Sequence, residues 1–335
     1  MVTIYDVAKK CGVAPSTVSK AINNYSSIPE ATKQKILDAM EELNYIPNSS
    51  AKYLSSGTSN VVGILSCFGT SITPFTHPLF MEILDSVQKV MNEQNFDLVF
   101  VSRTVGLNQG TFYKNCVSRH IDGVLMLGNM ENEEMAEVIN SEIPSVGFDY
   151  VGDAMTGVHS NNYDLMYKLT QYLIDCGHTN IVYICGDENE ITKRRVKAYI
   201  DALINNGIEF NPSMIVKSQY VNFDDINNIV ENLMKKDNRP TAIMFPDDYS
   251  ACRGVKVLKN LGFKCPKDIS VTGFDGIEVG QLFTPSLTTA KQNASEIGRQ
   301  LAHLLIKKIK SKKAKNELKE VNGEIIIGDS VAKIN

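Results

Sequence analysis

From Val61 onward, short apolar runs alternate with amphipathic stretches, and this alternation is the strongest constraint on the fold. Apolar runs that are rich in Val and Ile and separated by helices are typical of buried strands in a parallel sheet. Eight such runs predict strands at residues 61–67, 97–102, 122–128, 144–149, 180–186, 214–219, 241–246 and 269–274. Because they form two similar Rossmann-like sets in tandem, we expect an α/β body of two lobes with a cleft between them.

Amphipathic helices are predicted between these strands, because apolar residues recur there every three to four positions. They lie near residues 79–95, 108–119, 132–141, 162–176, 194–206, 224–236 and 248–261. A last helix at about 293–311 and a strand at 324–328 are expected to cross back and complete the body.

The first 46 residues have a different pattern, that of three short helices. Thr3 can cap the first helix, and Gly12 can end it because glycine tolerates the left-handed conformation of a tight turn. Pro15 stands where a second helix would begin, and a third is predicted over residues 30–44. Two short helices joined by a glycine turn predict a small all-α helix-turn-helix domain.

The second of these helices has an outward face of small polar groups and one cation. Its members are Ser16, Thr17, Ser19, Lys20 and Asn23. Hydroxyl, amide and ammonium groups are suited to base edges and phosphates, so this face is a candidate DNA-reading surface. The spacing alone fits an ordinary corner between two helices equally well.

Residues 47–60, which follow the third helix, are polar and serine-rich, with Leu54 as their one large aliphatic residue. Composition alone favours a flexible linker over a helix here.

The net charge differs between the two ends of the chain. The whole chain carries −4, and residues 1–58 contribute +1 through six lysines against five acidic residues. An acidic body with a slightly basic head suits a protein that grips DNA with one small domain and does something else with the larger one. A head this weakly basic would gain from acting in pairs, which favours a dimer on the DNA.

Composition also argues against several other classes of protein. The seven cysteines form no CxxC pair and the five histidines show no ligand spacing, so no metal or cofactor is expected. No apolar run approaches the roughly 18 to 20 residues that span a bilayer, and no signal-peptide pattern follows Met1. We therefore expect a cytoplasmic protein without membrane contact.

Charged residues follow several of the predicted strands of the body: Asp149, Asp247, Asp248, Asp275 and, at the start of a helix, Arg195. Ligands of open α/β sheets bind beyond the carboxyl ends of strands. Each of these residues alone is more often a helix cap or a solvated loop residue. Together they predict a cleft in which carboxylates and a guanidinium grip vicinal hydroxyls. Aromatic residues near the same strand ends could stack on a sugar ring: Phe80, Tyr150, Tyr220 and Phe274.

Several motifs, in order, resemble the LacI/GalR family of bacterial repressors. The resemblance runs through TIYDVAKKCGVAPSTVSKAIN, IPEATKQKILDAMEELNYIPNSSAKYLSSG, GVLMLG, YLIDCGHTNIVYICG, RPTAIMFPDD, ISVTGFDG and TPSLTTAKQ, and it covers nearly the whole chain. It implies a helix-turn-helix domain at 1–46, a hinge helix at 47–60 and a periplasmic-binding-protein-like effector and dimerisation domain at 61–335. Within the last domain it implies an N-lobe of about 61–160 plus 291–320, and a C-lobe of about 161–290 plus 321–335.

The resemblance also implies how DNA would be bound. In the family, paired hinge helices push a leucine from each subunit into the minor groove, and Leu54 holds that position. The implied DNA-binding residues are Thr3, Tyr5, Ser16, Thr17, Ser19, Lys20, Asn23, Ala51, Lys52 and Leu54. This chain departs from the family at Ala14, where a capping serine is usual, and at Pro15, which occupies a base-reading position without a donor.

An effector site in the cleft is implied in the same way. Its residues would be Phe80, Asp149, Tyr150, Asn161, Arg195, Tyr220, Asp247, Asp275 and Gln292. Asp247 replaces the family's usual asparagine, which favours a hydroxyl-rich or cationic ligand over a phosphorylated one. Asp248 is expected to cap the helix that follows.

The sequence therefore predicts a homodimeric, non-enzymatic transcriptional regulator, a repressor of carbohydrate-utilisation genes that binds a near-palindromic operator under the control of a sugar. A global carbon regulator triggered by a phosphorylated carrier protein is the alternative within the family. A sugar-binding uptake protein would need an export signal and no DNA-reading head. A glycoside hydrolase could use the cleft carboxylates as an acid pair, but no nucleophile motif supports an enzyme.

Overall fold

The structure, a computed structural model, describes residues 2–46, 57–67, 75–105, 108–128, 133–311 and 313–334. The chain separates into two compact units, Met1–Ser59 and Asn60–Asn335, which we call the head and the body. The hinge residues Ala51, Lys52 and Leu54 lie outside the described residues.

The head consists of three helices: α1 (Ile4–Cys11), α2 (Pro15–Ile22) and α3 (Glu30–Glu42). The N–H and the hydroxyl of Thr3 both donate to Asp6 Oδ2, each at 2.8 Å, and this fixes the start of α1. Gly12 ends α1 at φ 66, which is the left-handed conformation expected for it. The predicted helix-turn-helix is confirmed.

One small core holds the three head helices together. Its buried members are Val7, Ala8, Cys11, Val18, Ala21, Ile36 and Ala39. Each helix contributes to this set, so none of them could bury its apolar face alone. Packing the inner faces leaves the polar face of α2 on the outside.

The body contains two six-stranded sheets, one in each lobe. The N-lobe sheet has the order β13-β7-β6-β5-β1-β2, and all its pairs are parallel. Its strands are β1 (Val61–Cys67), β2 (Asp97–Phe100), β5 (Gly123–Gly128), β6 (Ser145–Phe148), β7 (Thr156–Ser160) and β13 (Leu318–Val321). A separate two-stranded hairpin joins β3 (Thr104–Val105) to β4 (Asn108–Gln109).

The C-lobe sheet has the order β14-β12-β11-β10-β8-β9 and is parallel except for β14. Its strands are β8 (Ile181–Cys185), β9 (Ile215–Lys217), β10 (Ala242–Met244), β11 (Ser270–Asp275), β12 (Thr288–Lys291) and β14 (Glu324–Ile326). The predicted α/β body of two lobes is thereby confirmed.

Nine helices of the described chain flank these sheets. They are α4 (Pro78–Glu93), α5 (Phe112–Ser118), α6 (Glu133–Ile139), α7 (Asn162–Asp175), α8 (Glu190–Asn205), α9 (Phe223–Met234), α10 (Asp248–Asn260), α11 (Glu278–Leu282) and α12 (Ala294–Lys310). In the N-lobe, α12 packs along α4 over a shared apolar core. Gly298 permits this packing, because a Cβ there would lie 2.3 Å from the carbonyl oxygen of Ile83.

The chain passes between the lobes at three places: after β7, after β12 and after β13. Hydrogen bonds tie these crossovers together. Asn161 N–H donates to the carbonyl of Val321 at 3.0 Å, and Asn161 Oδ1 accepts from Gly323 N–H at 3.0 Å. The Ser160 hydroxyl donates to Gln292 Oε1 at 2.5 Å. The crossovers therefore form one bonded strap between the two lobes.

Several elements differ from the sequence predictions. The helix expected from residue 108 begins at Phe112, because Thr111 caps it and the preceding residues pair in the hairpin. The helix expected from 194 begins at Glu190, where the Asn189 side chain accepts a hydrogen bond from Thr192 N–H. Strands β7, β12 and β13 were not predicted, because their sequences contain too many polar residues to read as apolar runs.

Within the described residues, no helix combines the length and apolarity needed to cross a membrane. No group of three or more His, Cys, Asp and Glu side chains is arranged there to hold a metal ion.

Candidate functional site

The candidate DNA-reading face lies on α2 and at the start of α1. Ser16 and Lys20 are exposed, and Thr17, Ser19 and Asn23 are half-buried. The side-chain amide of Asn23 donates to the carbonyl of Ser19 at 2.9 Å, which fixes the end of α2. At the start of α1, Thr3 is exposed, and Tyr5 has 70% of its surface exposed. The polar groups named from sequence thus remain accessible within the head.

The start of α2 has no side-chain cap. Ala14 occupies the N-cap position in an extended conformation, and Pro15 follows as the first helical residue. Because alanine offers no acceptor, the first turn relies on backbone bonds such as Thr17 N–H to the Ala14 carbonyl at 2.9 Å. The departure seen in the sequence therefore has the expected structural consequence.

In the body, two aspartates at strand ends of opposite lobes both have a positive φ. Asp149 follows β6 of the N-lobe with φ 56, and Asp275 ends β11 of the C-lobe with φ 101. Positive φ is uncommon for residues other than glycine, and it concentrates at binding and catalytic sites because it costs free energy. Two such carboxylates at strand ends mark the cleft as a candidate ligand site.

Asp275 is buried and is held from both lobes. Its Oδ1 accepts from Gln292 Nε2 at 2.7 Å, and its Oδ2 lies 3.6 Å from His77 Nε2. Gln292 in turn accepts from Ser160, so the carboxylate is bonded to the crossovers. His77 comes from the residue before α4 in the N-lobe, which makes this contact a bridge across the cleft.

Arg195 projects from α8 and is fully enclosed, with 3% of its surface exposed. Its Nε donates to Asn162 Oδ1 at 2.8 Å, and one terminal nitrogen donates to the Pro246 carbonyl at 3.3 Å. The guanidinium carbon lies 3.5 Å from the centre of the Phe274 ring. These contacts fix the plane of the guanidinium, as bidentate recognition of a ligand would require.

Asp149 is the least satisfied carboxylate in the cleft. Its Oδ1 has no hydrogen-bond partner among the described residues. Burial raises the pKa of Asp149 to about 6, and nearby Asp275 adds to the rise, although the charges of Arg195 and His159 oppose it. An incompletely paired carboxylate beside a fixed guanidinium is prepared to accept hydrogen bonds from a ligand.

Tyr220 completes the polar group at the cleft. Its hydroxyl lies 3.0 Å from the Thr192 hydroxyl, and its ring packs on Gly186, where a Cβ would lie 2.4 Å from the ring. Burial raises the pKa of Tyr220. The charge of Arg195 opposes this rise, and the charges of Asp149 and Asp275 add to it. The structure therefore brings together four residues named from the sequence: Asp149, Arg195, Tyr220 and Asp275.

Asp247 and Asp248 differ from the expectation in which of them caps α10. Asp247, not Asp248, is the N-cap of α10, and its carboxylate accepts from Ser250 N–H at 2.7 Å, the Ser250 hydroxyl at 2.8 Å and Val221 N–H at 3.1 Å. Asp248 is the first helical residue and is fully buried. Its carboxylate accepts from the Thr289 hydroxyl at 2.6 Å and Ile277 N–H at 2.8 Å. The prediction that Asp248 caps the helix is wrong, because the extended residue that precedes the helix is Asp247.

The remaining candidates have different surroundings. Phe80 is half-buried near the cleft, with its ring centre 5.5 Å from that of His77 and 6.0 Å from that of Phe148. The hydroxyl of Tyr150 accepts from Ala154 N–H at 3.0 Å, so its ring closes a loop of the N-lobe. Asn161 bonds the crossovers, as described above.

The sequence prediction missed His77, Asn162 and Tyr249. The first two are buried, and all three touch groups of the site: His77 contacts Asp275, Asn162 contacts Arg195, and the Tyr249 ring centre lies 5.5 Å from that of His77. A histidine directly before a helix-starting proline was the available signal for His77, but the helix was predicted to begin near residue 79, one residue after its observed start at Pro78.

Comparison with known proteins gives the same assignment for both parts of the chain. Residues 3–48 match the bacterial regulatory proteins of the lacI family, and residues 170–331 match the periplasmic binding protein-like domain. The chain is 30% identical over 342 residues to the HTH-type transcriptional repressor PurR of Vibrio vulnificus, with all of both chains covered. It is also 30% identical over 341 residues to PurR of Aliivibrio fischeri, with 99% of each covered.

Solved structures share the fold at lower identity. A Lac repressor dimer bound to operator and the anti-inducer ONPF superposes with a TM-score of 0.81 at 21% identity, and 99% of each chain is covered. The cellobiose complex of the transcriptional regulator CelR gives a TM-score of 0.72 at 22% identity, covering 98% of this chain and 100% of that one. From the head, the two-lobed body and these relatives together, we conclude that the chain belongs to the LacI family and is a DNA-binding transcriptional repressor.

Proposed function

We propose that a small, polyhydroxylated molecule of the sugar class binds in the cleft and controls the DNA affinity of this repressor. The observation that supports this most is the grouping of Asp149, Arg195 and Asp275, which offers carboxylate acceptors beside a fixed guanidinium donor. Vicinal hydroxyls can donate to the carboxylates and accept from the guanidinium at the same time. Tyr220 supplies an aromatic face for the ring of such a ligand.

The charge of the cleft favours a neutral ligand over an anionic one. Arg195 is one cation facing the two carboxylates Asp149 and Asp275. Burial raises the pKa of Asp248 well above its ordinary value and so favours its neutral form, which leaves Asp149 and Asp275 as the source of the negative field. A phosphorylated ligand would meet this negative field at close range, so its binding would be penalised.

The crossovers provide the route from the cleft to the DNA. Ligand binding at Asp275 would act on Gln292 and Ser160, which lie in the segments that join the lobes. A ligand can shift the relative position of the lobes only by its preference for one arrangement over another. We propose that the favoured arrangement changes the separation of two heads on a near-palindromic operator, and that target genes serve carbohydrate use.

The proposal includes a homodimer, for which the N-lobe offers exposed apolar side chains. Phe75 is 57% exposed, Met81 45% and Phe100 45%, and the rings of Phe75 and Phe100 lie 4.6 Å apart. Clustered exposed hydrophobic residues of this size are typical of protein contacts. We predict that the purified protein has a mass of about twice 37.1 kDa in solution, which light scattering measures.

A second effector class is suggested by the names of the relatives, because the curated proteins at 30% identity are PurR repressors and not sugar regulators by name. A flat heterocycle with ring N–H groups and a carbonyl could also donate to Asp275, accept from Arg195 and stack on Tyr220. The screen for effectors therefore needs nucleobases as well as sugars.

A thermal-shift screen of the wild type separates these classes, because a ligand that binds the native state raises the melting temperature by mass action. The panel contains mono- and disaccharides, their phosphorylated forms, and nucleobases. We expect neutral sugars to raise the melting temperature of the wild type and not of Arg195→Ala, whereas the matched surface variant Lys259→Gln should respond normally. A response to nucleobases alone would refute the sugar assignment, and an undiminished sugar response in Arg195→Ala would remove Arg195 from the site.

A further inference from the structure

A cluster of lysines lies where α12, the last helix of the body, ends. We call it the lysine patch; its described members are Lys307, Lys308, Lys310, Lys313 and Lys315. Residues 307–320 hold seven lysines against two glutamates, which is a net charge of +5. The chain has 34 basic and 38 acidic residues. Six of the basic and five of the acidic residues precede residue 60, so the body has 28 basic and 33 acidic residues, a net charge of −5. Without this stretch, the body would carry −10.

The lysine patch lies at the edge of the N-lobe where the chain enters from the head. Ile309 packs on Gly123, the first residue of β5, where an added Cβ would lie 2.9 Å from the Ile309 side chain. The residue before it, Asp122, accepts from the backbone N–H of Asn60 at 2.7 Å, and Asn60 is the first residue of the body. The end of α12 and the entry of the chain are therefore neighbours on one edge of the sheet.

Lys310 extends the lysine patch toward the same entry point. Its Nζ donates to Gln94 Oε1 at 3.1 Å, just after the end of α4. The chain then turns into β2, where Asp97 N–H donates to the carbonyl of Asn60 at 2.8 Å. Because the strands of this sheet are parallel, their first residues share this edge.

Internal contacts account for only part of the lysine patch. Lys307 forms an ion pair with Glu317 at 2.6 Å, and Lys308 donates to Asn316 at 2.5 Å. Lys313 and Lys315 are exposed and take part in no ion pair with the described residues. They also lie beyond the last residue of α12, so the helix dipole that favours cations in a last turn does not explain them. Like charges held this closely repel one another, which an anionic partner would relieve.

The partner that fits is the DNA phosphate backbone. The head carries only one net positive charge, which is little for a domain that must hold a polyanion. The segment that leads to the head joins the body at Asn60, and the hydrogen bonds of Asn60 to Asp122 and Asp97 place this junction beside the lysine patch. We propose that the lysine patch is a second DNA-contacting surface, which binds phosphates flanking the operator while the head reads the operator itself. This inference rests on the DNA-binding assignment and not on the identity of the effector.

The test compares operator fragments of two lengths at several salt concentrations. The operator is first selected from a random DNA library with the full-length wild type, and is then made as a core duplex and as one extended by about 15 base pairs on each side. The patch variant carries Lys310→Gln, Lys313→Gln and Lys315→Gln. The matched control carries Lys235→Gln, Lys259→Gln and Lys267→Gln, which remove the same charge from exposed positions of the C-lobe. Binding is measured by fluorescence anisotropy.

We expect the wild type and the control to bind the long duplex more tightly than the core duplex and with a steeper salt dependence. The patch variant should lose this length advantage. On the long duplex, the slope of log affinity against log salt should be shallower for the patch variant than for the wild type. The difference should be about 0.9 for each lost phosphate contact, or up to about 3 when the three substituted lysines of one patch all lose their contacts. Affinity for the core duplex should be nearly unchanged.

Two results would overturn the proposal. The first is a patch variant that still binds the long duplex more tightly than the core duplex, as the wild type does. The second is a patch variant whose affinity, on both duplexes, falls only as much as that of the control variant. Melting curves of all three proteins establish that they are folded, and if the triple variant is not, the pair Lys313→Gln and Lys315→Gln provides the same comparison. A normal thermal-shift response of the patch variant to effector would show that its cleft is intact. A failure of the lysine-patch proposal can therefore be told apart from a failure of the effector proposal.

Discussion

Replacing Asp149 with asparagine should stabilise the protein at neutral pH. Burial raises the pKa of this carboxyl from 3.8 to about 6, so ionising it costs more in the folded chain than in the unfolded one. Asparagine keeps nearly the same shape without the charge, and it tolerates the positive φ of 56 that Asp149 adopts. The substitution therefore removes the charge and leaves the backbone of the turn undisturbed.

The size of the effect follows from the pKa. A rise from 3.8 to about 6 corresponds to about 3 kcal/mol, at about 1.4 kcal/mol for each pKa unit. Asp149 is half-buried, and water at its exposed side reduces the cost, so we expect a gain of about 1–3 kcal/mol in the free energy of unfolding at pH 8.

The pH dependence gives the sign of the effect. Well below pH 3.8 the carboxyl is protonated in both the folded and the unfolded chain, so wild type and Asp149→Asn should have similar stabilities. Between pH 3.8 and about 6 the unfolded chain ionises Asp149 while the folded chain holds it protonated, so the wild type loses stability relative to the variant; the loss ends once the folded carboxyl ionises as well. The difference between the two proteins should therefore grow between pH 4 and pH 7 and then level off.

Urea unfolding of the full chain from pH 4.5 to pH 8 measures this difference. The chain has 13 tyrosines and no tryptophan, so tyrosine fluorescence and far-UV circular dichroism are the signals to follow. The exposed Asp237→Asn variant is the matched control and should show no such trend. A wild type that is as stable as Asp149→Asn at pH 8, or a difference that does not vary with pH, would refute the account of this carboxyl.

Three further substitutions test other parts of the account. Ala14→Ser should stabilise the head by about 0.5–1 kcal/mol in thermal unfolding, because it supplies the missing cap before Pro15; an unchanged melting temperature would count against it. Gly273→Ala should cost at least about 2 kcal/mol, because its Cβ would lie 2.0 Å from the buried Asp248 Oδ1, and a neutral result in urea unfolding would contradict that packing. Leu54→Ala should weaken operator binding far more than binding to random DNA in anisotropy assays, since a wedge acts only on the specific site; equal losses would remove the hinge argument.

Much of the fold could be predicted from the sequence because apolar runs and periodicity are local signals. The strands of both lobes that read as Val- and Ile-rich runs all form, and the head was evident from Gly12 and the spacing around it. Strands β7 and β12 were missed because their threonine and histidine side chains are buried through hydrogen bonds that depend on distant segments. The Thr289 hydroxyl, for example, donates to Asp248 Oδ1 at 2.6 Å.

The candidate site was predicted less completely, for a physical reason. Strand ends identified Asp149 and Asp275, because parallel strands deliver their carboxyl ends to one edge. Arg195 was expected at the start of a helix and lies inside α8, which begins at Glu190. What each carboxylate bonds to depends on contacts over long distances in sequence, and the sequence does not contain these directly. The carboxylate of Asp247 already accepts hydrogen bonds from Ser250 and Val221. His77 contacts Asp275 only because the two lobes meet there.

The central claim is that the cleft and the DNA-binding head are coupled. The direct measurement is the dissociation constant of the wild type for its selected operator, with and without a saturating ligand identified by thermal shift, repeated with Arg195→Ala. We predict that the ligand changes the operator affinity of the wild type at least about fivefold, as coupling of about 1 kcal/mol or more requires, and leaves that of Arg195→Ala unchanged. A ligand that stabilises the wild type but leaves its operator affinity unchanged would contradict the claim.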